Sequence, residues 1–441
     1  MVAPLKLGIA GLGTVGAAVV RLIAEEQSAL VARTDRRIAV VAVTARSKGK
    51  KRNADLRKIR WVTDPQRLAV DPEIDVFVEL MGGEGDPARS AVEAALAAGK
   101  SVVTANKALL ARHGVRLAEL AEKNGVALNF EAAVGGAIPI VKTLREGLAG
   151  NSFARIYGIL NGTCNYILTR MEREKLSFEE CLKDAQRLGY AEADPTFDIE
   201  GHDTAQKLAI AASLAFGIKV NPAAIYVEGI SSLTPEDLKA ADELGYRVKL
   251  LGVAVRTDKG IEQRVHPTMV PKDSEIAQVM GVTNALSINA DGIAPITLVG
   301  PGAGGSATAS AVVADIGDIA RGVRAPIFGR PARELALSKK APMQRHEGGY
   351  YIRLLALDRP GTFATISKAL ASEKISLESI VQKHPGPQPH GGDDPRSPQA
   401  PAPVILITYA TTEDAVRRAL QTIRKTRVIA GRPQVIRIEK G

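Results

Sequence analysis

The sequence predicts an α/β protein of three parts: a Rossmann-like N-terminal domain, an α+β domain, and a small C-terminal domain with ferredoxin-like order. Three observations predict this class. A strand pattern at 5–10 passes through a glycine-rich turn into a helical pattern, and longer strand patterns follow between 247 and 305. From 348 onward the order is strand, helix, strand, strand, helix, strand. With 441 residues and 45% hydrophobic content, the chain can bury several cores.

The composition excludes several classes of partner. No apolar segment reaches the ~18–20 residues of a membrane span, and the start of the chain has no signal-peptide pattern, so we expect no membrane partner. The two cysteines, Cys164 and Cys181, give no disulfide framework and fit a reducing cytoplasm. The net charge is +10, but the basic residues are dispersed among acids and aromatic residues make up 4%, so we expect no nucleic-acid partner.

The glycine-rich turn lies between a strand and a helix, which is the setting of a dinucleotide-binding turn. Gly11 suits the tight turn, Gly13 the close approach of a pyrophosphate, and Gly16 the packing of helix on strand. The N-terminus of the helix then directs unpaired N–H groups at the phosphates. The predicted cofactor contacts here are Gly11, Leu12, Gly13, Thr14, Val15 and Gly16.

The second predicted strand ends at Thr44, where an NAD-specific protein usually has an acidic residue for the ribose hydroxyls. Arg46 stands there instead, followed by Lys48 and by further basic residues at 50–52. These side chains can neutralise a 2′-phosphate, so the sequence favours NADP(H) over NAD(H) and leaves NAD(H) possible. A solvated basic loop is the alternative for some of these residues.

Two further strand ends supply candidate ligands. Thr104 and Lys107 follow a strand that leads into a helix, and the carboxyl ends of strands are where an open α/β sheet holds its ligand. An ordinary first-turn surface lysine is the alternative for Lys107. Glu131 precedes a Gly-Gly bend, and a carboxylate beside exposed carbonyl oxygens is one way to hold a hard cation.

The segment 189–207 is unusually acidic for a basic chain, which predicts recognition of a cationic group. Its acids are Glu192, Asp194, Asp198, Glu200 and Asp203. A helical pattern begins near Asp203 and ends at Gly217, so Asp203 and Lys207 are neighbours on one helix face. The alternative is a solvated surface ion pair beneath an acidic loop.

The domain boundaries follow from these patterns. The glycine-rich stretch 301–305 opens another helix, which either returns to the nucleotide domain or is a plain loop-to-helix junction. Residues 384–403 are of low complexity and read as a disordered hairpin loop. We expect a Rossmann domain over 1–140 with a returning segment near 300–325, a substrate-binding and dimerisation domain over 141–325, a linker over 326–347, and a C-terminal domain over 348–441.

Six motifs resemble those of monofunctional homoserine dehydrogenases with a C-terminal ACT regulatory domain. They span nearly the whole chain: GLGTVG at 11–16, TANKALLA at 104–111, NFEAAVGGAIPI at 129–140, NGTCNYILTRM at 161–171, AQRLGYAEADPTFDIEGHDTAQK at 185–207 and RPGTFATISKAL at 359–370. The resemblance implies reversible reduction of L-aspartate 4-semialdehyde to L-homoserine with NAD(P)H. This is the branch step towards threonine, methionine and isoleucine.

The resemblance also implies roles for particular residues. Substrate would contact Gly189, Glu192 and Asp203. Lys207 would donate a proton, and Lys107 would contact substrate and nicotinamide. Cofactor would contact Val15, Arg46 and Gly302 to Gly305. A structural Na⁺ would be held, largely by backbone oxygens, at Glu131, Val134, Gly136 and Ile138. The ACT domain would bind an amino-acid effector such as threonine, and the enzyme would be a homodimer or homotetramer.

Two other functions fit parts of the sequence. A phosphorylating semialdehyde dehydrogenase needs a cysteine nucleophile with a histidine base, and Cys164 is the candidate, although no histidine is near it in sequence. A small buried residue is the alternative role for Cys164. A non-catalytic metabolite sensor would use the Rossmann and ACT domains without turnover, and the adjacent Asp203 and Lys207 argue against it.

Overall fold

The N-terminal part is a parallel sheet flanked by helices. The computed structural model describes residues 2–337, 347–357, 359–382 and 401–439. The strands of this part are β1 (Leu5–Ala10), β2 (Ile38–Thr44), β3 (Arg60–Trp61), β4 (Val76–Glu79), β5 (Ser101–Thr104) and β6 (Leu128–Asn129). The helices are α1 (Thr14–Glu25), α2 (Gln27–Thr34), α3 (Pro65–Ala69), α4 (Ala88–Ala97) and α5 (Lys107–Lys123).

The strand order is β3-β2-β1-β4-β5-β6, with every pair parallel, which is the Rossmann order and confirms the predicted N-terminal fold. The central strands are apolar on both faces because helices cover both sides: Ile9 of β1 and Val78 of β4 are fully buried in one core, and Ala10 and Phe77 of the same strands are fully buried in the other. The crevice of such a sheet lies at the carboxyl ends of β1, β4 and β5.

The middle part combines a mostly antiparallel sheet with helices. It begins with α6 (Ile140–Lys142), which continues as a π-helix over Thr143–Gly147. The later elements are β7 (Phe153–Ile159), α7 (Gly162–Glu174), α8 (Phe178–Arg187), α9 (Thr196–Ile199), α10 (His202–Phe216), β8 (Tyr226–Val227), α11 (Pro235–Glu243), β9 (Tyr246–Thr257), β10 (Gly260–Pro271), α12 (Glu275–Gln278), β11 (Thr283–Ala290), β12 (Ile296–Pro301) and α13 (Gly305–Ala320). These elements form the second α/β part that the sequence predicts.

Two helices of this part carry side chains to the Rossmann crevice. Helix α10 is buried along most of its length, packs against α5, and ends at Gly217 with a positive φ of 65°. The predicted helix between Asp203 and Gly217 is therefore present. Helix α13 packs against α1, and its Val312 and Ile316 share a core with β1. The chain thus returns to the nucleotide-binding sheet after β12.

The C-terminal part consists of one β-α-β-β-α-β unit, with an additional two-residue strand before its second helix. Its elements are β13 (Glu347–Ala356), α14 (Thr362–Ser372), β14 (Leu377–Gln382), β15 (Ala402–Thr408), the short β16 (Thr411–Thr412), α15 (Glu413–Lys425) and β17 (Ile429–Ile438). Strands β17, β13, β15 and β14 lie side by side in that order, and each neighbouring pair is antiparallel. Residues 384–400 of the predicted low-complexity loop lie outside the described residues.

The second and third parts share one sheet. Strand β17 pairs in parallel with β10, at Thr268 with Arg437 and at Met269 with Ile438, so a single sheet runs from β12 to β14. Ion pairs cross the same boundary and join Arg155 and Arg264 to Glu439, Arg437 to Glu228, and Arg353 to Asp237. The C-terminal part is therefore joined to the middle part by backbone hydrogen bonds and by charges.

The segment predicted as a linker packs on the core over its described part. Ile327, Phe328, Ala332 and Leu335 are all buried, and the ring of Phe328 lies 5.4 Å from that of Phe130. These apolar residues bury surface against the helices of the first two parts, and full burial of an Ile, Phe or Leu side chain stabilises a fold by about 1.5–3 kcal/mol. Residues 338–346 of the predicted linker lie outside the described residues.

Candidate active site

The glycine turn after β1 has the geometry that a bound pyrophosphate requires. Gly11 has a φ of 101°, and a Cβ there would lie 2.3 Å from the carbonyl oxygen of Leu80. A Cβ on Gly16 would lie 1.9 Å from the carbonyl oxygen of Gly11. A Cβ on Gly13 would meet nothing within 4 Å. The turn and the helix are therefore close-packed at Gly11 and Gly16, while Gly13 borders open space.

The N-termini of α1 and α13 meet beside this turn. A Cβ built on Gly305 would lie 2.7 Å from the methyl carbon of Thr14, so the two helix starts are in contact. A cavity of about 420 Å³ opens there, lined by Leu12, Gly13, Thr14, Arg21, Lys50, Lys51, Gly305 and Ser306 among others. Two helix N-termini and four basic side chains, those of Arg21, Lys50, Lys51 and Arg52, form a suitable environment for a phosphate group.

The basic loop after β2 is held in place by Arg52. Its guanidinium donates to the carbonyl oxygens of Leu12 (3.1 Å), Lys48 (3.4 Å), Lys50 (2.7 Å) and Ser47, and it lies 5.4 Å from the ring of Trp61. Arg52 is thus a scaffold that fixes the loop against the glycine turn.

The predicted cofactor residues Arg46 and Lys48 are exposed and do not line the cavity, whereas Lys50 and Lys51 do. Arg21, about two turns after Thr14 on α1, also lines it, and sequence reasoning missed this residue. Helical spacing indicates a position for Arg21 at the cavity, because it places this residue on the same face of α1 as Thr14 and Ala18.

A second cavity, of about 300 Å³, lies at the carboxyl ends of the Rossmann strands. Both predicted lysines, Lys107 and Lys207, line it, together with Val15 and Gly302. Lys107 is the first residue of α5, where the Asn106 side chain accepts the N–H of Leu109 at 3.1 Å. The crevice therefore joins the nucleotide turn, the start of α5 and the helix α10.

The Asp203 carboxylate lies between the two lysines. Its Oδ2 is 2.9 Å from Nζ of Lys207, and its Oδ1 is 3.1 Å from Nζ of Lys107. The Asp203 side chain is 5% exposed, against 12% for Lys207 and 36% for Lys107. Burial alone would raise the pKa of Asp203, but the two ammonium charges and its hydrogen bonds hold that pKa well below its usual range. Asp203 is therefore an anion that fixes both lysines.

Asn161 is a site residue that sequence reasoning missed. Its Nδ2 donates to Asp203 at 2.9 Å and to Asp198 at 2.8 Å, while its Oδ1 accepts the N–H of Cys164 at 2.8 Å as the N-cap of α7. Burial, reinforced by the charge of Asp203, raises the pKa of Asp198. One amide thus holds two neighbouring carboxylates. The only sequence signal was an asparagine before a helix, which usually indicates a cap alone.

Beneath the crevice, Glu79 organises the loop after β4. This fully buried carboxylate accepts the N–H groups of Met81 (2.7 Å) and Gly82 (3.1 Å) and the hydroxyl of Thr104 (2.6 Å). The Thr104 hydroxyl in turn accepts the N–H of Asn106 at 3.0 Å. The predicted cofactor residue Thr104 is thus buried and orients the neighbours that line the crevice.

The predicted substrate residues Gly189 and Glu192 lie in an exposed loop that follows α8. The loop is tied to the start of α7 by the hydroxyl of Thr163, which donates to the carbonyl oxygen of Tyr190 at 2.6 Å. Asn161, which holds Asp203, is two residues before Thr163. The loop is therefore fastened beside the carboxylates, with the Glu192 side chain open to solvent.

The predicted cation loop at 131–138 packs against the glycine-rich turn at 302. Both oxygens of the Glu131 carboxylate accept backbone N–H groups at 2.8 Å, from Val141 and Lys142. Burial raises the pKa of Glu131 in spite of these bonds. A Cβ on Gly136 would lie 2.5 Å from the Gly302 carbonyl. The Glu131 side chain therefore caps α6. Because both of its oxygens are occupied, the backbone carbonyl oxygens of the 131–138 loop are the groups that suit a small cation.

Cys164 lies outside both cavities. Its side chain is fully buried, and its Sγ lies 3.2 Å from the carbonyl oxygen of Asp198. Burial and the surrounding carboxylates raise the pKa of its thiol well above the usual value, which disfavours the thiolate that a nucleophile requires. These features oppose a thioacyl mechanism.

Within residues 2–337 and the described C-terminal ranges, no helix is long and apolar enough to cross a membrane. Within the same ranges, no group of three or more His, Cys, Asp or Glu side chains is arranged to hold a metal ion.

The nucleotide turn and a crevice with two ammonium groups both lie at the carboxyl ends of the Rossmann strands, an arrangement that fits an NAD(P)-dependent oxidoreductase acting on a CH–OH group. Comparison with known proteins gives the family. Residues 11–131 match the family description "Homoserine dehydrogenase, NAD binding domain", and residues 139–316 match "Homoserine dehydrogenase". The homoserine dehydrogenases of Neisseria gonorrhoeae and Pseudomonas aeruginosa are 43% and 41% identical to this chain, over 99% of each chain.

Solved structures agree with this match. A homoserine dehydrogenase from Thiobacillus denitrificans superposes with a TM-score of 0.90 at 42% identity, covering 99% of this chain and 98% of its own. A hyperthermophilic archaeal homoserine dehydrogenase in complex with NADPH gives a TM-score of 0.63 at 27% identity, covering 73% of this chain and 99% of its own. The chain belongs to the homoserine dehydrogenase family, which confirms the resemblance seen in its motifs.

Proposed function

We propose that this protein catalyses the reversible NAD(P)H-dependent reduction of L-aspartate 4-semialdehyde to L-homoserine. The observation that carries the proposal is the buried Asp203 carboxylate held between Lys107 and Lys207 on the wall of the crevice. The family match supports the reaction, and the crevice supplies the groups that it needs.

The chemistry requires a proton donor at the aldehyde oxygen. A bound nicotinamide cofactor supplies the hydride to the aldehyde carbon. The oxygen then gains negative charge, which a positioned ammonium both stabilises and quenches with a proton. Lys207 donates to Asp203 and to the Leu160 carbonyl oxygen at 2.7 Å, and an ammonium has three donors, so one remains for the substrate oxygen.

Substrate recognition follows from charge. The substrate carries an α-ammonium, which suits the acidic loop with Gly189 and Glu192, and an α-carboxylate, which suits an ammonium such as Lys107. Asp203 completes this set by fixing both lysines. The acidic density of the loop in a chain of net charge +10 supports this arrangement.

The preferred cofactor is NADP(H), and NAD(H) is the less preferred alternative. Arg21, Lys50 and Lys51 give the nucleotide cavity a basic lining, and the exposed Arg46 and Lys48 belong to the same loop after β2. The ribose end of NAD usually requires an acidic residue after the second strand, and here that position is Arg46.

A structural Na⁺ would be held by backbone oxygens at Glu131, Val134, Gly136 and Ile138. All four residues are buried, and the loop they form closes against Gly302. The Glu131 carboxylate would stay outside the coordination shell, because its two oxygens cap α6. The cation would therefore stabilise the loop that borders the crevice.

The C-terminal part would serve as an ACT regulatory domain that binds an amino-acid effector such as threonine, in a homodimer or homotetramer. Its β-α-β-β-α-β order and its shared sheet with β10 support a regulatory module joined firmly to the catalytic part. Both cysteines are free thiols, which suits the cytoplasm.

The test is steady-state homoserine oxidation with NADP and with NAD, in wild type and in two lysine variants. Lys207→Ala should lower kcat by roughly two to four decades, as the loss of a general acid does, while NADPH binding survives. Lys107→Ala should mainly raise the KM for homoserine. The exposed Lys183→Ala serves as the matched control and should behave as wild type.

Near-normal turnover in Lys207→Ala would remove Lys207 as the proton donor. The split between kcat and KM separates the two lysines, because loss of the donor should lower kcat, whereas loss of a substrate contact should mainly raise KM. Cofactor binding without any turnover of homoserine in the wild type would instead support the sensor hypothesis.

A further inference from the structure

A small cavity of about 120 Å³ lies at the C-terminal end of α10. Three of the residues that line it are arginines, Arg145, Arg256 and Arg330, and none of its lining residues is acidic. The arginines come from segments that are distant in sequence: the π-helix after α6, strand β9, and the described part of the segment predicted as a linker. The cavity is smaller than the roughly 300 Å³ at which sites for drug-sized molecules begin, so its size suits a small ion.

Arg145 is the buried member of this set, with a side chain that is only 3% exposed. It lies within the π-helix Thr143–Gly147, and π-helical turns are rare and frequently occur at functional sites. Its Nε and Nη2 donate to the neighbouring Glu146 carboxylate at 2.9 and 2.6 Å, which leaves Nη1 without a hydrogen-bond partner among the described residues. Because burial of a charged group is costly unless its donors are used, a guanidinium with a spare donor at a cavity wall suits an anion.

Arg256 and Arg330 are exposed, and the protein holds each of them beside the cavity. Nε of Arg256 donates to the carbonyl oxygen of Phe153 at 3.1 Å, and its guanidinium lies 5.5 Å from the centre of the Phe216 ring. The guanidinium of Arg330 packs on Gly217, where a Cβ would lie 2.3 Å from Cζ. Neither arginine forms an ion pair with a residue that the structure describes. Two guanidinium charges at this cavity therefore have no counter-ion within the described part of the chain.

The simplest alternative is that Arg330 only compensates the partial negative charge at the end of α10. That charge is about −0.5 of an elementary charge, which is smaller than the two guanidinium charges that lack a counter-ion. Arg330 also donates no hydrogen bond to a carbonyl oxygen of α10 in the described residues. Compensation of the helix end accounts for one arginine and leaves the convergence of three arginines on one cavity unexplained.

We propose that this cavity is a binding site for a small tetrahedral oxyanion of the class of inorganic phosphate and sulfate. Guanidinium groups match the oxygens of such anions in shape and charge. Three guanidinium groups that approach from separate segments need more acceptor oxygens than the two of a carboxylate, and a tetrahedral oxyanion has four. The bound anion joins the π-helix, β9 and the 329–330 segment, so it stabilises the packing around the end of α10. The inference is independent of the reaction proposed for the crevice.

Binding is tested on the full-length protein by titration with inorganic phosphate and with sulfate, while sodium chloride keeps the ionic strength constant. The unfolding temperature should rise and then saturate, because a ligand of the folded state stabilises it. Titration calorimetry should give a Kd of about 1 mM or lower for the phosphate ion. Chloride and acetate at the same ionic strength should give no saturable rise. The nucleotide cavity also suits phosphate, so the titration is repeated in Lys51→Gln, which removes a charge from that cavity.

Single substitutions assign the bound anion to the arginine cavity. Arg256→Gln and Arg330→Gln should each weaken phosphate binding at least about tenfold, and both side chains are exposed, so the variants should fold. Arg324→Gln is the matched control, because it removes an exposed arginine close by in sequence that does not line the cavity, and its Kd should be unchanged. Homoserine oxidation without added phosphate should be unchanged in Arg330→Gln, because this residue lines neither the crevice nor the nucleotide cavity.

Three results would overturn the inference: neither phosphate nor sulfate gives a saturable rise, acetate stabilises the protein as much as phosphate does, or the Kd is unchanged in both Arg256→Gln and Arg330→Gln. Phosphate binding that is lost in Lys51→Gln and kept in the two arginine variants would assign the anion to the nucleotide cavity and would also contradict it. Because these measurements require no turnover, failure of the proposed reaction would appear separately, as an absence of NADPH formation from homoserine.

Discussion

Replacing Asp203 with asparagine tests the central feature of the site. Three donors converge on this carboxylate: Lys207 and Asn161 on one oxygen, each at 2.9 Å, and Lys107 on the other at 3.1 Å. The amide keeps the shape but removes the charge, and its NH₂ group must face at least one donor. Asp203→Asn should therefore release Lys107 or Lys207 from its position without creating a cavity.

The size of the expected loss of stability in Asp203→Asn follows from the burial of the ion pairs. Removing one partner of a buried ion pair costs about 3–5 kcal/mol, because the other charge is left unpaired. Lys207 is only 12% exposed and should account for most of this cost, whereas Lys107 is 36% exposed and solvent reduces its share. We expect a stability loss of about 3 kcal/mol and a fall in kcat of about 10²–10⁴, since the donor is no longer positioned.

The assay combines homoserine oxidation, NADPH binding by fluorescence, and urea denaturation. NADPH affinity should stay near the wild-type value, because the glycine turn does not contact Asp203. The matched control is Asp194→Asn, in the same acidic loop, where the exposed carboxylate accepts the N–H of Thr196 at 3.1 Å. A kcat within about threefold of wild type in Asp203→Asn would refute the reasoning, because a misplaced general acid costs at least about a hundredfold.

Acid pH supplies a second check on Asp203. Because its folded-state pKa lies below the unfolded value, the stability it confers is complete above about pH 4 and is lost only as pH falls towards the folded pKa. Asp203 should therefore stay ionised across the neutral range. Any acid limb of kcat that persists there in wild type must arise from another group, and Asp198, whose pKa is raised, is the nearest carboxylate.

Three other predictions concern separate regions. Arg46→Ala should lower the ratio of kcat/KM with NADPH to kcat/KM with NADH about tenfold, as loss of one charged contact does. Lys51→Ala should lower this ratio by more than Arg46→Ala does, because Lys51 lines the nucleotide cavity. An unaltered ratio in Arg46→Ala would make the assignment of Arg46 wrong. Cys164→Ser should retain activity in the same assay, and an inactive but folded variant would revive the thioacyl route. Burial lowers the pKa of Lys249 to about 7, so above that pH the folded chain binds fewer protons than the unfolded chain, and stability should rise between about pH 7 and 10 by at most about 1.4 kcal/mol per unit. Lys249→Met should flatten this rise in urea denaturation, and an identical slope in both proteins would contradict the assignment.

Local patterns gave the parts of the site that depend on nearby residues. The glycine turn was predictable because each glycine answers a local requirement, a positive φ at Gly11 and close packing at Gly16. The pairing of Asp203 with Lys207 followed from helical spacing alone. The position of Lys107 after a strand predicted a place at the crevice, but its contact with Asp203 depends on how α5 packs against α10, which no local pattern indicates.

Contacts between distant segments were beyond sequence reasoning. Asn161 has the pattern of a helix cap, and nothing in its neighbourhood indicates that its amide also holds Asp198 and Asp203. The parallel pairing of β10 with β17 involves only two residues of each strand, which is too short to leave a pattern. The packing of Phe328 inside a segment rich in proline and charge was hidden for the same reason.

The shared sheet has a practical consequence for anyone who wishes to trim the chain. Cutting after residue 346 would uncover the edge of β10 at Thr268 and Met269, and unpaired strand edges promote aggregation. It would also strip Arg155 and Arg264 of Glu439, leaving cationic groups in a poorly solvated setting. Variants of this protein should therefore be made by single substitutions, with the full-length chain kept intact.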